Sequence, residues 1–266
     1  MDTFSNLTDK GEIFETENIL SSPLITFTDK NNYHQSILGK SVVVIGGGPT
    51  SMLYDWHKIE YDHLWTLNSF YQNESYKNIP FDLIHIGSLV NPNDSKLINY
   101  LDNVGSNAEI YYELDFYHGE KYNRLFSSGI LEKYKERSNY YVTDFRGRIG
   151  GAPRLVLLAA LMGASDVYFT GIDGYTKDNK RLHSFWKGAL DEVRTDIPAQ
   201  AKEHGGDAAH TYDESAIDFK EYLKLLNKIS NDIGTKFYNL GEGHEANMIG
   251  DLYRDMLPLP SNLKQL

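Results

Sequence analysis

At 266 residues the chain is long enough to bury one sizeable core. It carries 37 acidic against 26 basic residues, a formal net charge of −11, which disfavours broad electrostatic binding to nucleic acid. The absence of cysteine excludes disulfide frameworks, thiolate metal sites and cysteine nucleophiles. No run of about 18 apolar residues is present to span a bilayer, and residues 1–30 lack the basic and apolar regions of a signal peptide. Together these features point to a cytoplasmic enzyme, with peripheral contact at a membrane left open.

Residues 1–38 read as a polar N-terminal extension with one β-like piece, "LITFT" at 24–28. From Ser41 onward β-like runs alternate with helical patterns. The runs are "SVVVIG" (41–46), "HLWTLN" (63–68), "FDLIHIG" (81–87), "AEIYYEL" (108–114), "YYVTDF" (140–145), "SDVYFTG" (165–171) and "TKFYNLG" (235–241). Helices are predicted near 51–58, 95–103, 124–137, 151–163, 215–232 and 245–256. This alternation predicts an α/β fold, a single Rossmann-like domain with a mostly parallel sheet. Its expected bounds are 39–258, with a short tail at 259–266. In the helix 151–163, Leu155, Leu158, Ala159 and Met162 recur at helical spacing and Gly163 closes it, so it should lie against the sheet. The polar segment 174–214 shows little periodicity beyond a short helix at 185–194, and it holds His183, His204 and His210. A loop of this length inside a compact domain suits a substrate lid.

Three motifs carry candidate chemistry. "GGGPT" follows the first parallel strand. It lacks the lysine of a phosphate-binding P-loop, and it lacks the third glycine and the acidic second-strand end of a dinucleotide fingerprint. Gly46, Gly47 and Gly48 still allow a ligand close to the backbone, and Pro49 and Thr50 suit a helix start. A tight strand-to-helix turn satisfies the same residues. "LNSFY" places Asn68 and Ser69 at the carboxyl end of the next strand, where ligands bind in open parallel sheets. "RGRIGG" sets Arg148 before Gly151 at a helix N-terminus, a combination that favours anions. The strand after that helix ends in Gly171, Asp173 and Tyr175.

The order of these motifs resembles the small bacterial CMP-sialic-acid-dependent sialyltransferases and the related motility-accessory-factor and DUF115-type glycosyltransferases. In the sialyltransferases the three motifs read G-N-G-P-S, C-N-Q-F-Y and R-I-T-S-G leading to S-G-I-D-F-Y. The spacing from Arg148 to Asp173 matches without a gap, and the likeness covers roughly residues 41 to 250. It implies a GT-A-like fold and a metal-independent, inverting transfer of sugar from a nucleotide-activated donor, with no cofactor beyond that co-substrate. On this resemblance Gly46 to Thr50 cradle the phosphate and ribose, and Asn68 contacts the nucleotide or donor sugar. Arg148 sits close to the donor, Asp173 shapes the pocket floor, and Tyr175 steadies the leaving phosphate. His210 is the general base, with His183 and His204 as rivals. A neutral imidazole at cellular pH suits that role.

Three positions depart from the family. Gly47 replaces an asparagine, Gly151 replaces a serine, and Arg181 stands where a second tyrosine is expected. Arg181 could neutralise a leaving diphosphate, so the donor is either a CMP-nonulosonate or a nucleoside-diphosphate sugar. His57, His63, His85 and His118 read as structural residues of core elements, whereas His244 could line the nucleotide pocket with Glu242 and Asn247. Two alternatives remain at this point: a DUF115-type pterin pyrophosphokinase, which needs Mg²⁺ on several carboxylates, and a non-catalytic nucleotide-sugar-binding module. The expected acceptor is a glycan or another hydroxyl. A hydroxymethylated DNA base is less favoured and would rely on Arg124, Lys133, Lys135 and Arg137. A homo-oligomer is compatible with the sequence.

Overall fold

In a computed structural model of the chain, the described residues are 25–48, 50–53, 56–87, 90–113, 120–143, 150–172 and 212–240. Eight strands form one sheet: β1 (Ile25–Thr28), β2 (Ser41–Ile45), β3 (His63–Leu67), β4 (Leu83–Ile86), β5 (Glu109–Glu113), β6 (Ser138–Thr143), β7 (Asp166–Thr170) and β8 (Lys236–Asn239). Their spatial order is β1-β6-β5-β4-β3-β2-β7-β8. Every pairing is parallel except that of β1, which runs antiparallel along the edge of β6. The α/β architecture with a mostly parallel sheet is therefore as the sequence predicts, and each predicted strand is found.

Burial on both faces explains the strand composition. Val42 to Ile45 of β2 are all fully buried between β3 and β7, with Val44 opposite both Trp65 and Phe169. A central parallel strand covered by helices on both sides reads as a continuous apolar run.

The helices are α1 (Tyr33–Ile37), α2 (Thr50–Leu53), α3 (Ser95–Asp102), α4 (Glu120–Ser127), α5 (Ile130–Lys133), α6 (Gly151–Leu161) and α7 (Tyr212–Ile233). Single 3₁₀ turns occupy Trp56–Lys58, Phe70–Gln72 and Lys135–Arg137. The chain steps from β2 through β3, β4 and β5 to β6, then returns to place β7 on the other flank of β2 and β8 beyond it. Right-handed crossovers put the helices of these two arms on opposite faces. Accordingly α6 packs on β2, β3, β7 and α7. That double cover explains why Ala152 through Ala160 are buried without a polar face. The Tyr222 hydroxyl of α7 donates to the Pro153 carbonyl at 3.1 Å and ties the two helices together.

Three elements differ from expectation. The helix predicted over 124–137 is split into α4, α5 and a 3₁₀ turn, because Gly129 adopts φ +76° between them. The helix predicted near 51–58 is only the four residues of α2 followed by the 3₁₀ turn at 56–58. Helix α1 was not anticipated. Asp29 nucleates it by accepting the backbone N–H groups of Tyr33 and His34 at 3.0 and 2.5 Å, and the Tyr33 hydroxyl accepts the Trp65 indole N–H at 3.0 Å. The helices predicted at 185–194 and 245–256 and the lid at 174–214 lie outside the described residues, apart from the first turn of α7. No helix among the described residues is long and apolar enough to cross a membrane.

Candidate functional site

The order in which strands are added switches at β2, outward to β3 on one side and back to β7 on the other. In an open α/β sheet such a switch point opens a crevice beyond the carboxyl ends of the strands, and GGGPT and Gly171 meet there. The Gly46 N–H donates to the Thr170 carbonyl and the Gly48 N–H to the Gly171 carbonyl, both at 2.8 Å. The Gly171 N–H donates in return to the buried Thr50 hydroxyl at 3.0 Å. A Cβ on Gly46 would stand 2.5 Å from the Gly171 oxygen, and Gly171 itself adopts φ +72°. The two loops are thus stitched backbone to backbone, and glycine is required because no side chain fits between them. Ser51 closes the turn by donating its hydroxyl to the Gly48 carbonyl at 2.8 Å. Helix α2 spans four residues, too short to build a substantial dipole, so any ligand held here would depend on the loop backbone around half-buried Gly47.

A second cluster lies one strand further along, where β3 and β4 end under the start of α6. Asn68 sits in the left-handed region at φ +57°, a conformation asparagine tolerates better than most residues. Its N–H donates to the His85 carbonyl at 2.7 Å, and its Oδ1 accepts the Gly87 N–H at 2.8 Å. Asn68 therefore clasps the two strand ends together. Half-buried Ser69 leads into the 3₁₀ turn at 70–72.

His85 occupies the floor of this cluster and is 2% exposed. Register places it on the same sheet face as Leu67 and Tyr111. Its Nδ1 lies 2.8 Å from the Tyr141 hydroxyl. Its Nε2 edge is turned toward two glycines: a Cβ built on Gly151 would lie 3.3 Å from Nε2, and one on Gly87 3.4 Å. Burial, reinforced by the nearby Arg154 guanidinium, pushes the imidazole down to a pKa of about 3, so the ring is neutral at cellular pH. Arg154, in the first turn of α6, donates from Nε to the Glu113 carboxylate at the end of β5 at 2.6 Å. Both side chains are buried, 7% and 1% exposed. Gly150 precedes α6 with φ +101° and, as a glycine, offers no side chain to cap it.

The structure therefore brings Asn68, Ser69 and Gly151 together at one cluster and Gly46, Gly47, Gly48, Thr50 and Gly171 at the adjoining seam. Arg148, Pro49, Asp173, Tyr175, Arg181 and His210 lie outside the described residues, as do His118, His183, His204, Glu242, His244 and Asn247. His63 has the structural role predicted, its ring nitrogens lying near the Tyr33 hydroxyl and the Ser36 carbonyl. His57 differs: it is exposed and stacks on Trp56, with ring centroids 3.6 Å apart. His85 is buried as expected, but its position at the crevice floor was missed, as were Tyr141 and the Arg154–Glu113 pair. The lone arginine in "GAPRLVLLAAL" was the available signal, since a buried guanidinium requires a partner.

The proposed basic patch does not present free charge. Lys133 pairs with Asp102 at 2.7 Å and Lys135 with Glu132 at 3.0 Å. Half-buried Arg137 donates to the carbonyls of Leu101, Gly105 and Ala108. Of the four residues that were to contact DNA, three are committed to the protein itself.

No protein-family model and no curated protein matches the chain. Among solved structures, it is similar to the sialyltransferase CstII from Campylobacter jejuni in complex with the substrate analogue CMP-3FNeuAc. That match covers 84% of this chain and 88% of CstII, with a TM-score of 0.53 and 15% identity. A monomeric CstII gives 0.51 at 16% identity over 84% and 87% of the two chains. A CMP-bound CstII variant gives 0.51 at 15% identity over 79% and 85%. At these identities the likeness is one of fold, and it agrees with the resemblance read from the motif order.

Proposed function

We propose that the protein is a glycosyltransferase that moves a sugar from a nucleotide-activated donor to an acceptor hydroxyl. The observation that carries this reading is the coincidence of three things at one crevice. The strand order switches at β2, with β3 on one side and β7 on the other, the glycine loops and Asn68 occupy the strand ends there, and 84% of the chain matches the fold of a sialyltransferase seen in complex with CMP-3FNeuAc. The nucleotide lies along the loop at Gly47 and the donor sugar extends past Asn68 toward the start of α6. Transfer is inverting and needs no metal. The acceptor oxygen attacks the anomeric carbon as its bond to the phosphate oxygen breaks. His210 takes the hydroxyl proton, and the nucleotide leaves with the bonding electron pair, its charge met by Tyr175, Arg148 and Arg181. The acceptor is a glycan or another hydroxyl compound.

The test is a panel of CMP-sialic acid, UDP-sugars and GDP-sugars, followed by calorimetric binding and by hydrolysis in the absence of acceptor. Hydrolysis of one donor class that falls at least about a hundredfold in His210→Ala supports the assignment. Equal slow turnover in both proteins removes His210 from the mechanism, and binding without turnover in either leaves a nucleotide-sugar-binding module. A preference for CMP alone would reject the diphosphate role given to Arg181.

A further inference from the structure

Arg154 and Glu113 neutralise each other beneath the start of α6, and Asn68 has its carbonyl oxygen and backbone N–H committed to β4. His85 differs from these neighbours. One ring nitrogen is held by Tyr141, and Nε2 has no hydrogen-bond partner among the described residues although the side chain is 2% exposed. Nε2 is not sealed from solvent, and an unpartnered ring nitrogen on a side chain only 2% exposed, facing the start of α6, is placed to be met by a ligand. The glycines at 87 and 151 matter for the same reason: a side chain at either would stand within van der Waals range of Nε2 and cover it.

We propose that His85 is a donor-specificity residue, whose Nε2–H hydrogen-bonds an oxyanion of the nucleotide sugar seated over the N-terminus of α6. This rests on the glycosyltransferase reading above and deepens it. The chemistry follows from the arrangement. The proposal requires the tautomer in which the Tyr141 hydroxyl donates to Nδ1 and the neutral ring carries its proton on Nε2, where it is a donor. Helix α6 is 11 residues long, its N-cap Gly150 has no side chain to cap it, and the N–H groups of Gly151 and Ala152 in its first turn are further donors at the same end. Neutral donors with no net charge beside them suit a single oxyanion. In a nucleotide sugar this is either a phosphate oxygen or the carboxylate of a sugar acid. The groups facing the ring are Tyr141, Arg154 and, through Arg154, Glu113. Because the arginine is paired and the imidazole resists protonation, this contact should be independent of pH between about 5 and 8.

The first experiment needs no nucleotide sugar. Histidine ring ¹⁵N resonances of the full chain are followed while inorganic phosphate is added, with the His85 signals assigned by their loss in His85→Gln. The expected result is a saturable shift of the His85 Nε2 resonance with no change of protonation from pH 5 to 8. The titration is repeated with free sialic acid, and a resonance that neither anion moves overturns the proposal. The second experiment compares the Kd for CMP and for CMP-sialic acid in wild type, His85→Leu and His85→Gln, with thermal melts as the folding control. His85→Leu should weaken binding about tenfold, and His85→Gln, which keeps an N–H at similar reach, should recover to within about threefold. Loss for both ligands identifies the phosphate as the oxyanion, and loss for CMP-sialic acid alone identifies the carboxylate. Unchanged affinity in a folded His85→Leu overturns the role. If phosphate shifts His85 but no nucleotide sugar binds, the anion contact stands and the glycosyltransferase reading falls.

Discussion

Gly46→Ala tests whether the β2–β7 seam is held by backbone contact. The added Cβ would stand 2.5 Å from the Gly171 oxygen, 2.9 Å from its carbonyl carbon and 3.0 Å from the Thr170 oxygen. All three atoms are backbone, so no side chain can turn aside, and the strand ends must part by about 0.9 Å to reach ordinary contact. That movement would carry the Gly46–Thr170, Gly48–Gly171 and Gly171–Thr50 hydrogen bonds, now 2.8, 2.8 and 3.0 Å, to or beyond their useful range. Each such bond is worth about 0.5–1.5 kcal/mol, and overpacking by one methyl costs about 1–3 kcal/mol. The expected loss is therefore about 5 kcal/mol, a fall in Tm of about 10–20 °C for a chain of this size. Gly39→Ala is the control, because Gly39 has φ +71° but no atom within 4 Å of the new methyl. It should lose only the backbone strain, about 1 kcal/mol. Thermal unfolding followed by circular dichroism measures both. If Gly46→Ala melts at or above Gly39→Ala, the seam is not a rigid contact and the reasoning fails.

Glu113→Gln leaves the buried Arg154 guanidinium without the counter-charge it now meets at 2.6 Å, and should cost about 3–5 kcal/mol in urea denaturation. Replacing both residues together with Leu and Met should recover most of that loss, and equal instability of the single and double variants would show that the pair is not the cause. Asn68→Gly keeps the left-handed backbone but loses the bond to Gly87, so it should cost about 1 kcal/mol. Asn68→Ala adds strain at φ +57° and should cost about 1 kcal/mol more; matched melts would refute the backbone account. For His85 the folded pKa, about 3, lies below the ordinary value of 6.5, so between these pH values the unfolded chain binds a proton that the folded chain does not. Its contribution to stability is complete above about pH 6.5 and is lost toward pH 3 at about 1.4 kcal/mol per pH unit. A denaturation series from pH 7 to 4 should show a slope shallower by that amount in His85→Leu, and parallel slopes would place the ring in solvent.

The central strand β2 was legible because burial on both faces writes an unbroken apolar run into it, Val42 to Ile45, whereas the flanking β7 and the edge strand β8 alternate between buried and half-buried or exposed positions. Helix α6 was legible for the same reason, its apolar periodicity ending at Gly163. The break at Gly129 was hidden, since a glycine between two amphipathic stretches does not announce whether it bends or merely weakens a helix. Helix α1 was hidden because it depends on Asp29 and on packing against Trp65, not on five residues of propensity. The glycines of GGGPT were recognised as a place of close approach, and the partner turned out to be Gly171 for Gly46. The His85 cluster was illegible for a different reason. Its members come from β4, β5, β6 and α6, and only the parallel register and the seating of α6 over Leu67 bring them to one point.

These two groups of glycines do opposite things, and the difference decides where a ligand can be met. At the β2–β7 seam, Gly46 and Gly171 let one backbone reach another, and the donors and acceptors they free are consumed within the protein. Such a glycine is explained by packing and needs no ligand. At the β3–β4 ends, Gly87 and Gly151 instead leave uncovered the ring nitrogen of His85 that has no partner among the described residues. The seam thus acts as a rigid rail that fixes the spacing between β2 and β7, while the recognition chemistry within the described residues lies a strand away, beneath α6. A sequence search for phosphate loops looks at the rail. The specificity that separates one donor from another is then expected to follow His85 and the groups that hold it, and substitutions at Tyr141, which orient the ring without reaching the crevice, should alter donor choice before they alter the fold.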